Sequence, residues 1–300
     1  MPNSAVLRAV QNLESEATRL GVESSGPALP ELLSVDDLLA RDVADGPLAG
    51  HSLADTRALL HVARWSKEFL TEPHAELGRS GHVCPYVSAT IREQRYLLTV
   101  LNDAATRERE TDRLILRLGR YFTELEPRVG RAAQKKTIVI LFPDLPEERV
   151  GELINAMHQR LKPHFLRAGM MLGEFYRDSD KPGLHNPHFR PLRSDVPLLV
   201  IRAMLPQDIA FLSDDARFVR AYVRNFKARG CAEIHSYVER QGASLSDTTR
   251  ALLLEHAAVF ETGVRQSGEF PRSNYTSSQS APVRERPVVP SAAAASRFKR

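Results

Sequence analysis

The chain has 300 residues, 42% of them hydrophobic and 26% charged, which excludes a disordered chain, a collagen-like fibre and a disulfide scaffold. A formal charge of +4 invites a nucleic-acid reading, but residues 1–50 carry a net −5 and residues 264–300 a net +5, so the two ends cancel. The +4 that remains on the middle is weak evidence for a macromolecular polyanion, and no basic stripe interleaved with aromatic residues is predicted on any element, so no nucleic-acid partner is expected.

Residues 1–50 read as an acidic arm. A short helix carries Val6, Val10, Leu13, Ala17 and Leu20, and a Gly/Pro/Ser linker follows over 21–30. A single domain over 51–263 comes next. His51 to Leu70 reads as a helix with Asp55 in its first turn, and Thr71 to Val87 as an irregular stretch holding Cys84-Pro85-Tyr86. Arg95 to Leu101 is strand-like, and Leu114, Leu118, Tyr121, Phe122 and Leu125 recur at helical spacing until Pro127. Thr137 to Phe142 is a continuous β-branched run, which predicts a central strand covered on both faces.

Val150, Leu153, Ile154, Met157 and Leu161 mark the next helix, with Pro163 expected to limit its end. Met170 to Phe175 is a strand interrupted by Gly173, and Leu198 to Met204 is another. A turn led by Pro206, a helix carrying Phe218, Val219, Tyr222, Val223 and Phe226, and a last helix over about Leu245 to Phe260 complete the domain. The expected fold class is α+β, one mixed sheet of about four strands flanked by helices, with those helices on one face. Residues 264–300, rich in Ser, Pro, Ala and Arg, read as a disordered basic tail.

No apolar run approaches the ~18–20 residues of a membrane span. The first residues lack a charged and then apolar leader pattern, and Cys84 and Cys231 give no disulfide framework or zinc spacing. A cytoplasmic protein with no membrane partner is expected, its oligomeric state left open.

The segment from Lys181 to Ser194 is the most unusual in the chain. Pro182, Pro187 and Pro191 stiffen it, and it carries His185, Asn186, His188, Phe189, Arg190 and Arg193 between two strands. Its arginines can pair a carboxylate or phosphate, and its histidines can transfer protons or ligate a metal. The opposing reading is an ordered surface loop whose arginines cap nearby carbonyls. Cys84, followed by proline, is a candidate thiolate ligand or nucleophile, with His82 an alternative ligand on the same loop. His158 and His164 read as helix-end or surface histidines, Glu174 as a buried acid or a salt-bridged strand carboxylate, and Trp65 as a helix-face anchor.

Cys84-Pro-Tyr-Val, Phe142-Pro-Asp, Gly173-Glu-Phe-Tyr and Gly183-Leu-His-Asn-Pro-His-Phe-Arg-Pro-Leu-Arg-Ser resemble the motifs of an uncharacterised bacterial domain family over about residues 60–230. In layout the chain is also distantly similar to YqcI/YcgG-type proteins, some of which are haem-dependent N-oxygenases. That resemblance implies an oxidoreductase, a monooxygenase of secondary-metabolite biosynthesis, acting on a small anionic or amino-acid-like substrate. Haem would lie between the Cys84 loop and the 181–194 loop, with Cys84, His82, His185 or His188 as axial ligand, Cys84 being the metal ligand of first choice. Arg190 and Arg193 would hold propionates, and Asn186, Arg202 and Tyr176 are read as substrate contacts. The alternative, from a different class, is a non-catalytic module that binds a small anion or a protein.

Overall fold

The computed structural model describes residues 29–41 and 46–267, the side chains of 264–267 excepted. The helix expected over Val6 to Leu20 and residues 268–300 of the expected tail lie outside the described residues, whereas 264–267, expected to open that tail, continue the last helix.

One mixed five-stranded sheet organises the chain, in the order β1-β2-β3-β5-β4. The strands are β1 (Leu33–Ser34), β2 (Tyr96–Val100), β3 (Thr137–Leu141), β4 (Met170–Phe175) and β5 (Leu198–Ala203). β2 and β3 are parallel, with Leu98 opposite Val139, and every other pairing is antiparallel, with Val139 opposite Val200 and Leu172 opposite Ile201. A parallel pair needs a long crossover, and the helix over Glu108–Glu124 lies in it. β3 is buried along its whole length, as its unbroken β-branched run requires. The fifth strand, β1, comes from the segment read as an acidic arm, where two residues are too few to show a period.

The helices are α1 (Val35–Leu39), α2 (Leu53–Trp65), α3 (Val87–Arg92), α4 (Glu108–Glu124), α5 (Val150–Arg167), α6 (Ala216–Phe226), α7 (Ala228–Gln241) and α8 (Asp247–Ser267). α2 starts on a reciprocal cap: Ser52 Oγ accepts from the Asp55 N–H at 3.1 Å, and Asp55 Oδ2 accepts from the Ser52 N–H at 3.0 Å. Pro163 does not end α5, which runs on to Arg167. Proline forfeits one ladder bond, but Phe165 and Leu166 beyond it are fully buried, and each such side chain stabilises the fold by ~1.5–3 kcal/mol. α7 was not expected from the sequence, although Cys231, Ile234 and Val238 form its buried stripe.

Helices cover both sheet faces, not one. On one face Ile138, Ile140, Leu172, Leu199 and Ile201 pack under α4 and α5. On the other Leu98, Val139, Leu141 and Leu198 pack under α1, α2 and α3. Val35 and Leu38 of α1 are buried there, so residues 29–41 are built into the domain. Strand alternation produces the two faces: neighbours along β3 point to opposite sides and each side is apolar. A third cluster joins α6, α7 and α8 to Leu166, Met171 and Met204. α4 and α5 approach so closely at Gly119 that a Cβ there would stand 2.6 Å from the Phe165 ring. Among the described residues, no helix is long and apolar enough to cross a membrane.

Candidate functional site

The stiff 181–194 loop is packed down by its own polar groups. Asn186 Nδ2 donates to the Glu76 carbonyl at 2.7 Å, and its Oδ1 accepts from the His188 N–H at 2.9 Å. Arg190 donates to the Pro187 and Phe189 carbonyls, and Arg193 Nε donates to the Ser179 carbonyl at 3.1 Å. Phe189 is buried and stacks on His74, ring centroids 4.8 Å apart, while Phe69 lies beside both rings. His185 and His188 are exposed. The loop arginines therefore cap carbonyls and hold the loop in shape.

The other expected contacts are also engaged within the fold. Tyr176 is buried and its hydroxyl accepts from Asn155 Nδ2 at 3.0 Å. Arg202 grips Asp208 with two bonds of 2.7 and 2.6 Å, and Asp208 Oδ2 also accepts from the Leu205 N–H at 2.6 Å. Removing either partner would strand a charge in a part-buried position. His82 Nδ1 lies 2.9 Å from Ser88 Oγ on the surface. Cys84 is half-buried and packs at the rim of the apolar cluster beneath α2.

These positions do not fit a haem between the two loops. A Cβ on Gly78 would stand 2.6 Å from the His185 carbonyl oxygen, and the Asn186–Glu76 bond and the Phe189–His74 stack close the same seam. A macrocycle there would have to part the loops and break all three contacts. Among the described residues, no three His, Cys, Asp or Glu side chains converge on a point that could hold a metal ion.

His158 is not a surface residue. It is buried beneath α5, where Nε2 stands 2.9 Å from both the Leu172 carbonyl oxygen and Glu174 Oε2. Glu174 is buried as well and pairs with Lys181 from the start of the stiff loop. Of the two sequence readings for this carboxylate, burial and salt bridging both hold.

A concentration of cationic side chains lies elsewhere, at the end of the sheet where β3 and β4 begin and β5 ends. A cleft of about 920 Å³ opens there between the 122–136 segment, the 168–170 turn and the α6–α7 corner. Its walls carry Arg128, Arg131, Lys135, Lys136 and Arg229, and no Asp or Glu lines it among the described residues. Phe122, Val129, Met170, Met204, Phe226 and Tyr86 supply its apolar surface. Val129 and Tyr86 are among the large apolar side chains left exposed.

Local structure places each charge. Arg128 is held by the Glu124 carbonyl at 3.1 Å and by Glu126 at 2.9 Å, and Lys135 by Glu93 at 2.7 Å. Lys136, 4% exposed, donates to the Phe122 and Leu125 carbonyls at 2.9 and 2.8 Å and so closes the C-terminal turn of α4. Burial pushes its amine down to about 8; Glu126 opposes the shift, and Arg95 and Arg128 add to it. Among the described residues, the side chains of Arg131 and Arg229 make no hydrogen bond or ion pair. At the α6–α7 corner Lys227 sits at φ 52°, a left-handed turn that sends α7 off with Arg229 in its first turn, toward the cleft.

Sequence reasoning missed this cleft. Its one linear signal is Arg128 to Lys136, which holds four cations and no carboxylate between two apolar elements. Residues 59–237 match the family model for a domain of unknown function, DUF6875. Neither a curated protein nor a solved structure matches the chain.

Proposed function

Because the chain belongs to the DUF6875 family, whose description assigns no activity, we propose from the cleft that it is a binding module for a small organic anion. The observation that carries this reading is the charge asymmetry of one concavity: five cationic side chains, two of them with no side-chain hydrogen bond or ion pair among the described residues, and no carboxylate among the described lining residues. Such a cleft is of ligand size, since small-molecule sites run to ~300–1,000 Å³. Its positive potential concentrates anions at the mouth, and partial desolvation strengthens each contact beyond its worth in bulk water. The apolar wall gives the carbon body of the ligand a surface to cover. The binding module is favoured over the haem oxygenase because Arg190 and Arg193 are committed to main-chain carbonyls, whereas Arg131 and Arg229 are not.

Thermal unfolding of the full chain across a panel of anionic metabolites and their uncharged analogues tests this. Anions raise the midpoint in proportion to ln(1 + [L]/Kd), and Arg131→Glu with Arg229→Glu removes the effect. A panel in which charged and uncharged analogues act alike would refute the reading.

A further inference from the structure

Resting on the anion-binding reading, we infer that the cleft takes a nucleoside di- or triphosphate. Charge is the first argument. Glu126 and Glu93 already pair Arg128 and Lys135, and Lys136 donates to two carbonyls, which leaves the two guanidinium groups of Arg131 and Arg229 with no ion pair among the described residues, more charge than a single carboxylate balances. A chain of phosphates offers several negative charges along a line, and each guanidinium fork can grip two phosphate oxygens at once.

The second argument is the apolar part of the lining. Phe226 is held against Tyr222, centroids 4.9 Å apart, and the Tyr222 hydroxyl is fixed to the Pro206 carbonyl at 2.7 Å. The ring is thus preorganised, and with the exposed Val129 it gives the cleft an apolar surface for a flat aromatic body, while Met170 and Met204 are buried beneath. Asn225 adds a reading element. Both its N–H bonds are spent on the Leu166 and Ala221 carbonyls, each at 2.8 Å, so only its oxygen is left to receive a donor such as the exocyclic amine of a base. Gly169 keeps the approach to that oxygen open, since a Cβ there would lie 3.1 Å from Asn225 Oδ1.

The third argument sets the mode of binding. With no carboxylate on the walls among the described residues, the phosphates are met by guanidinium and ammonium groups and not through a bridging Mg²⁺. Mg²⁺ in solution then competes with the protein for the same oxygens.

The test is calorimetric titration of the full chain with ATP, ADP, adenosine and inorganic tripolyphosphate, with EDTA or with excess Mg²⁺. ATP and ADP are expected to bind in EDTA, to bind more weakly with Mg²⁺, and to exceed both adenosine and tripolyphosphate by about tenfold or more, the scale of one stacked aromatic contact. Arg131→Glu with Arg229→Glu, both at exposed positions, lowers ATP affinity by about 100-fold or more, the scale of two charge-assisted hydrogen bonds. Tripolyphosphate binding as tightly as ATP would overturn the nucleoside assignment and leave anion binding standing. Silence from every anion would overturn both. A single-stranded RNA oligomer that outbinds ATP would overturn the small-molecule assignment in favour of nucleic acid.

Discussion

The imidazole of His158 and the carboxylate of Glu174 meet at 2.9 Å in the seam between α5 and the edge strand β4, with side chains only 8% and 5% exposed. Nε2 must carry the proton, because its second neighbour, the Leu172 carbonyl oxygen, can only accept. Burial holds the imidazole below its ordinary range; Lys162 and Lys181 add to this, and the Leu172 carbonyl opposes it. The Glu174 charge is already met by Lys181, so the group is an ion pair beside a neutral histidine.

Acid therefore weakens the fold through His158. Its folded pKa lies below the unfolded one, so the unfolded chain takes up the proton first as pH falls through the ordinary histidine value of about 6.5. Urea midpoints at pH 7 and pH 5 are expected to drop more for the wild type than for His158→Gln. A parallel drop in the two proteins would show that the imidazole is not the cause.

Gly78 fixes the seam between the two loops. It sits at φ 75°, and a Cβ would press on the His185 carbonyl. Gly78→Ala is expected to cost at least ~1–2 kcal/mol from the left-handed conformation alone. It should also speed proteolytic cleavage within 181–194, read by limited digestion against the wild type.

The loop arginines have a structural role that separates them from the cleft. Arg190→Ala and Arg193→Ala each remove bonds to carbonyls and are expected to lower stability by about 1 kcal/mol. Anion affinity in the same two variants should match the wild type. A loss of affinity with unchanged stability would return the binding role to this loop.

Lys136 should report occupancy of the cleft as a proton. With its amine near 8, a fraction of molecules hold it neutral at pH 8, and an anion in the cleft draws its pKa back up. Binding at pH 8 is thus expected to take up protons, seen as a different calorimetric heat in Tris and in HEPES. Lys136→Met abolishes the difference.

Where hydrophobic period dominated, the fold was legible from the residues. Thr137 to Leu141 read as a central strand because no polar residue interrupts it, and the α4 stripe was visible in Leu118 and Phe122. Pro163 misled because tertiary burial of Phe165 and Leu166 outweighs one lost ladder bond. α7 had a readable stripe in Cys231, Ile234 and Val238, but its start is a corner at Lys227, a residue with no preference for positive φ. The cleft was illegible for a different reason. It joins Tyr86, Arg128 to Lys136, Gly169, Met204 and Arg229, positions that no linear spacing relates and that only the sheet end brings together. The 181–194 loop drew attention through composition, yet composition does not say whether an arginine faces a ligand or its own backbone.

Calorimetric titration of inorganic tripolyphosphate into the wild type and into Arg131→Glu with Arg229→Glu tests the cleft most directly, because it asks only about charge. The wild type should bind with an affinity that falls as NaCl is raised, and the double variant should give no binding heat. Equal binding by both proteins, or none by the wild type at low salt, would contradict the assignment.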